Sequence, residues 1–349
     1  MRHFGQLLQS VAILYLRPPA TAPIYVSRPR RGTGPAGRKG RFDMQTTIAK
    51  AAGFEGVGLH SGRRATLTIR PAAAGHGIWF KRIDVTDADP MVPALWDAVR
   101  PAELCTRLVN LDGVEVGTTE HLMAALAGCG IRNAFIEIDG PEVPILDGSA
   151  RPFVEGIVAA GIRALGGTVT AIEVLRPVEV RRGDALARLE PAGSLAIEFH
   201  IDFADAAIGR QDKSLSLANG AFVRELCDAR TFCRRSDVEA MRARGLALGG
   251  TMENAVVVDG ARVLTTGGLR RADEPVRHKM LDALGDLALA GAPILGRYIG
   301  VRSGHAMTNA LLRELFADPR AFRLRPCDAR IAACLPGAGL HPGDIPAAA

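Results

Sequence analysis

Twice along this chain a run of short strand-like segments is followed by a pair of helices, and that order restricts it to a fold in which sheets pack on helices. In the first half, RATLTIRPA (64–72) and NAFIEID (133–139) partly alternate apolar and polar residues, the period of a half-buried strand. The helices TTEHLMAALAGCG and SARPFVEGIVAAG go with them. The first has Thr118 or Thr119 as its N-cap and Gly128 as its stop, and the second runs from Ser149 to near Gly161. Beyond the Gly/Thr-rich linker LGGTVTA (165–171) the order recurs, with strands in AIEVLRPVEVRR, ALARLEP and LAIEFHIDF and helices predicted over 276–290 and 304–316. Pro275 and Gly291 bound the first of these helices, and Ser303 is a natural N-cap for the second. The reading is an α+β fold with domains at 44–165 and 170–325 and a tail at 326–349. No sequence identity links the halves, so the duplication rests on element order alone. The region 231–258 interrupts the second half with a helix, a glycine-rich turn and a strand.

With 48% hydrophobic and 23% charged residues, the 349-residue chain can bury sizeable cores, and wholesale disorder is excluded. Its net charge of +6 comes from the first 43 residues, where eight Lys/Arg face the single acid Asp43; the remainder is close to neutral. That leader reads as a solvated basic or targeting segment, or as sequence ahead of a true start at Met44. Its apolar stretch is far shorter than the roughly 20 residues of a membrane span, and no other segment qualifies. Six cysteines without a CxxC pair argue against a thiolate metal site or a disulfide framework and suit a reducing cytoplasm.

His278 and Asp282 lie four positions apart in RHKMLDALGDLALAG, so a helix puts both on one face, close enough to share a metal. Imidazole with carboxylate suits Zn²⁺, and Fe²⁺ less exclusively; the same spacing also describes an ordinary surface ion pair. His121 offers a third ligand, leaving a fourth position open, and Glu120 beside it can act as a base toward a water whose pKa the metal lowers. Glu120 alone also reads as an acid complementing a helix N-terminus. His305, at another helix start, needs a carboxylate to stay protonated, and Asp286, two turns beyond His278, can supply it or simply form a buried ion pair. His60 lies in the glycine-flanked turn GVGLHSG, within reach of a ligand, while His3, His76, His200 and His341 lack supporting context. Lys279 meets an anionic substrate or is simply solvated. Met241, Leu246, Leu248, Met252 and Val257 close a small core or line a passage for an aliphatic ligand.

GVGLHSG (56–62), TTEHLMAALAGCGI (118–131), PILDGSA (144–150), ARTF (229–232), VRHKMLDALGDL (276–287) and SGHAMTN (303–309) together resemble the UDP-3-O-acyl-N-acetylglucosamine deacetylase family, zinc amidases of lipid A biosynthesis. The resemblance runs from about residue 45 to about 325. It implies two similar domains, each a two-layer sheet/helix sandwich with an insertion, and an active site between them. It implies zinc held by His121, His278 and Asp282, Glu120 as general base, His305 as acid or electrostatic partner oriented by Asp286, and Thr231 at the oxyanion. Lys279 would face the substrate, Phe203 and Arg302 the nucleotide diphosphate, and the insertion at 231–258 the acyl chain. Leu59, His60, Phe232, Val238, Met241, Met252 and Val257 complete the substrate-contacting set. The implied reaction releases acetate from the 2-acetamido group and keeps the 3-acyl chain. A cytoplasmic monomer is expected, with a UDP-linked acyl glucosamine as its partner and no nucleic acid beyond that nucleotide. Cys233 after ARTF, and Arg271 and Pro275 before the 276–290 helix, depart from the family pattern, which has glycine and aromatic residues there.

Two other readings compete. A nucleic-acid-binding protein, suggested by the basic leader, requires a basic stripe on the body, which is instead near neutral. A structural zinc site requires a fourth protein ligand such as His60.

Overall fold

Strand Arg64–Pro71 shows how the pattern becomes structure: Ala65, Leu67 and Ile69 are buried while Arg64, Thr66 and Arg70 face out. It sits second in a five-stranded sheet ordered Ala52–Val57, Arg64–Pro71, Ala134–Ile138, Ile78–Arg82, Met91–Pro93. These coordinates are a computed structural model that describes residues 45–347, so the expectations for the basic leader, His3 and Met44 lie outside the described residues. Two helices accompany this sheet, α1 (Glu120–Gly128) and α2 (Arg151–Ala160), and Phe153 of α2 meets Phe54 edge-on at 5.0 Å.

The second half forms a seven-stranded sheet around Ile294–Val301, which pairs antiparallel with Ala185–Pro191 and parallel with both Thr170–Val174 and Ala196–Asp202. The short helix α3 (Ala221–Glu225) and the helix α4 (Arg235–Ala243) precede α5 (Glu274–Ala288) and α6 (His305–Ala317). A mixed α+β chain results, as the element order requires. One hydrophobic cluster joins residues of both sheets, among them Leu67, Ile136, Leu122, Leu281, Tyr298 and Leu311. Among the described residues no helix is long and apolar enough to cross a membrane.

Helix α5 is buried along nearly its whole length, His278, Asp282 and Asp286 included. A polar stripe without access to water must be paired or bind an ion. It runs beside α1 because Gly285 allows close approach: a Cβ there would lie 2.0 Å from the carbonyl oxygen of Glu120. Gly285→Ala is therefore expected to drive the helices apart and lower stability by about 1–3 kcal/mol, typical of overpacking. Thermal unfolding checks this, and a wild-type Tm would contradict the close crossing.

Helix ends differ from the sequence expectation for identifiable reasons. Pro275 lies inside the first turn of α5, where its missing N–H costs nothing. The cap position of α6 is Gly304, because the Ser303 hydroxyl is engaged by the Tyr298 hydroxyl at 3.0 Å. Thr119 caps α1 by position, yet its hydroxyl donates to the Thr106 carbonyl instead of to its own helix. Gly128 is the last residue of α1 and not its stop; a Cβ there would strike the Phe222 ring of α3, and the left-handed residue is Gly130 at φ 75°. The segment after residue 326 is packed: Cys327, Ile331 and Leu335 cover Val169, Ala171 and Leu295. Helix α3, strand Arg210–Ser216 and the small sheet of Val99–Arg100, Arg107–Val109 and Glu115–Val116 were not anticipated, their short or strongly polar segments carrying little apolar periodicity.

Candidate active site

Four residues apart on α5, His278 and Asp282 approach through Nε2 and Oδ1 at 3.4 Å. From α1, His121 brings its Nε2 to 3.6 Å from the same Oδ1, with the two imidazoles edge-to-face at 4.9 Å. One donor atom from each residue lies within 4.8 Å of the others, and all three residues are buried. Donors about 2.0–2.1 Å from a tetrahedral ion stand about 3.4 Å apart, so the spacing suits a first-row divalent metal. Two further observations support that fit. Asp282 Oδ1 is buried without a hydrogen-bond partner, an orphan acceptor that a cation would satisfy. His278 Nδ1 lies 3.0 Å from the Ala229 carbonyl, which can only accept, so the proton sits there and Nε2 is left free as a ligand. Burial pushes His278 down to about 4, which keeps its ring neutral. Burial works against ionisation of Asp282, but the charged Lys279 and His305 outweigh it and hold the carboxyl well below its usual range. Its Oδ2 accepts from Lys279 Nζ at 2.8 Å.

Beside this group stand an acid and a charged histidine. Glu120 opens α1, 3% exposed, and its Oε1 lies 3.8 Å from His305 Nε2. Burial raises the Glu120 pKa, with His305 and His121 opposing. His305 opens α6, and its Nδ1 lies 2.9 Å from Asp286 Oδ2. Burial alone would lower His305, but Asp286, Glu120 and Asp282 together raise it to about 9. Three helices thus bring together three donors that could hold a metal ion, a carboxylate with a raised pKa and a histidine whose pKa is raised to about 9. Among the described residues the metal-binding group has three members and His60 is not among them, so the arrangement lacks the fourth ligand of a closed structural site.

A family profile for UDP-3-O-acyl N-acetylglycosamine deacetylases matches residues 45–317. The chain belongs to this family. Proteins named UDP-3-O-acyl-N-acetylglucosamine deacetylase are similar to it over most of its length. One from Phenylobacterium zucineum is 50% identical over 282 residues, 81% of this chain and 96% of the relative. Another, from Anaeromyxobacter sp., is 49% identical over 80% of this chain and 91% of its own length. The protein from Shewanella frigidimarina is 45% identical over 85% and 99% respectively.

Several motifs of this deacetylase-family chain meet around the metal-binding group. The GVGLHSG turn is fixed by Glu142, whose carboxylate accepts from the amides of His60 and Ser61, each at 2.8 Å, and from the Thr118 hydroxyl at 2.8 Å. That last bond supports Thr118 at φ 54°, a conformation costly for a β-branched residue, two positions before Glu120. Both ring nitrogens of His60 are buried without partners, and burial lowers its pKa. The Leu59 and His60 carbonyls accept from the amides of Gly249 and Leu248, docking the turn on the insertion. Gly249 is required there, since its Cβ would lie 2.3 Å from the Gly58 carbonyl oxygen. The Thr231 amide donates to the Gly148 carbonyl at 2.8 Å, joining ARTF to PILDGSA.

The remaining predicted contacts are distributed unevenly. Phe232 lies 6.2 Å from the His278 ring and 5.4 Å from Phe203, forming an aromatic path away from the metal-binding group. Val238 and Met241 are half-buried on α4, whereas Met252 is 46% and Leu248 53% exposed. Val257 is buried in its strand, and its amide donates to the Thr265 hydroxyl. Arg302, at φ 49°, holds Asp202 at 2.5 Å and Asp184 at 3.6 Å. Arg271 pairs with Asp228 at 3.2 Å, so this departure from the family pattern makes an ion pair of its own.

Sequence reasoning missed Glu142, Thr106 and the buried pair Arg230–Glu274, whose Arg230 amide and guanidinium both reach Glu274 and flank the Ala229 carbonyl. Thr106 reaches Glu120 and Asp286, 14 and 180 residues away, and Arg230 reaches Glu274 44 residues away, too far apart to read as motifs.

Proposed function

We propose that this chain removes the 2-N-acetyl group of UDP-3-O-acyl-N-acetylglucosamine by zinc-dependent hydrolysis, releasing acetate and retaining the 3-acyl chain. The observation that carries the reading is the orphaned Asp282 Oδ1 facing His121 and His278 within reach of Glu120 and His305. His121, His278 and Asp282 would hold the zinc, which when bound would supply a Lewis acid to the amide carbonyl and lower the pKa of the attacking water. Glu120 accepts that water's proton at Oε1, the oxygen that faces His305. His305 stays charged through Asp286, stabilises the developing negative charge and delivers a proton to the leaving amine. Thr231 adds a donor at the oxyanion, and Lys279 orders Asp282 and faces the substrate. Phe203 and Arg302 meet the nucleotide diphosphate. The acyl chain lies along Leu59, Phe232, Val238, Met241 and Met252, backed by Val257. The same reading makes this a step of lipid A biosynthesis performed in the cytoplasm by a monomer, with segments 44–165 and 170–325 as two domains around the site.

Acetate release from the UDP-linked acyl glucosamine, with the sugar lacking its 3-acyl chain as control, tests the assignment. The acylated substrate is expected to turn over much faster, and no release by zinc-replete protein sinks the proposal.

The pH profile carries its own expectation. Glu120 must be ionised to accept a proton, so its raised pKa brings the acid-side loss of rate toward neutrality. His305 must be protonated, so the rate is expected to fall as pH rises through about 9. Asp286→Asn removes the first-named charge that keeps His305 protonated and should move that alkaline fall toward a histidine's ordinary 6.5. An unmoved alkaline fall would contradict the role given to Asp286.

A further inference from the structure

Thr106 is 3% exposed and spends each of its polar groups at the site. Its amide donates to Glu120 Oε2 at 2.9 Å, its hydroxyl donates to Asp286 Oδ1 at 2.5 Å, and its carbonyl accepts from the Thr119 amide and hydroxyl. Glu120 belongs to α1 and Asp286 to α5, so one residue ties the acids of two helices. The consequence lies in which oxygens remain. With Oε2 engaged, Glu120 presents Oε1 toward His305 Nε2; with Oδ1 engaged, Asp286 presents Oδ2 to His305 Nδ1. A carboxylate held at one oxygen cannot swing its other oxygen away, and catalytic groups lose rate when their orientation loosens.

We propose that Thr106 is a positioning residue that selects the reactive oxygen of Glu120 through its amide and of Asp286 through its hydroxyl. This rests on the deacetylase reading above. Valine matches threonine in shape but lacks the hydroxyl, so it tests the side-chain half alone.

Thr106→Val and Thr106→Ser are compared with wild type, and Thr106→Val is repeated in an Asp286→Asn background, recording kcat, KM, bound metal and Tm. Losing a hydrogen bond to a charged group predicts a fall in kcat of about 10- to 100-fold in Thr106→Val, with KM little changed and metal retained. Thr106→Ser keeps the hydroxyl and should recover most of the rate, and the valine effect should largely vanish in Asp286→Asn. Wild-type kcat in Thr106→Val, a loss that serine does not recover, or an equal loss in both backgrounds overturns the inference. A crystal structure of Thr106→Val decides it independently of turnover, since Asp286 Oδ2 should leave His305 Nδ1; an unmoved Asp286 overturns it. A wild type that releases no acetate counts instead against the deacetylase reading, and the crystal structure still decides the role of Thr106.

Discussion

Asp282→Ala is expected to lose its metal and its turnover together. Asp282 Oδ1 faces the Nε2 atoms of both imidazoles, at 3.4 and 3.6 Å, and it has no hydrogen-bond partner. The carboxyl is held well below its usual range, so it is an anionic ligand throughout the working pH. Changing outer-shell partners of a metal ligand typically costs 10- to 100-fold in affinity, so deleting a ligand outright should cost at least about 100-fold. The loss extends beyond coordination, because Lys279 then sits beside the site without its counter-ion. Metal content after dialysis reads this directly. Asp282→Ala retaining wild-type metal would remove the ligand set from the account.

Glu120→Gln should do the opposite, keeping the metal and losing the rate. Glutamine preserves the shape and can still accept from the Thr106 amide at 2.9 Å, so the helix start is expected to stay in place. It cannot take a proton, and removing a general base typically costs about 10² to 10⁴-fold in kcat. The three metal-binding donors are untouched, so metal content should match wild type. A modest loss, or one accompanied by metal release, would mean that Glu120 serves the site's structure rather than its proton transfer.

Legibility in the sequence followed the distance over which each relation acts. His278, Asp282 and Asp286 were readable as one face because helical geometry fixes them locally. The approach of α1 to α5 was not readable, although it brings His121 to Asp282. It depends on Gly285 leaving room for the Glu120 carbonyl oxygen, a fact of tertiary packing. Strands such as Arg64–Pro71 and Ala134–Ile138 were plain from alternation, while Arg210–Ser216, in which only Leu215 is a large apolar residue, gave no core face to recognise. Ser303 looked like a cap until a buried tyrosine hydroxyl claimed it. Thr106 and Glu142 were invisible because their work is done by hydrogen bonds to amides and carboxylates from distant parts of the chain. The acyl-chain reading of Met241, Met252 and Val257 rests on family resemblance alone, since periodicity fits a small core equally well.

The most direct test of the central claim assays wild type, Glu120→Gln and Asp282→Ala side by side for bound zinc and for acetate released from the UDP-linked acyl glucosamine. The account predicts zinc with turnover in wild type, zinc without turnover in Glu120→Gln, and neither in Asp282→Ala. Zinc-replete wild type that releases no acetate, or Asp282→Ala that releases it at the wild-type rate, would contradict the account.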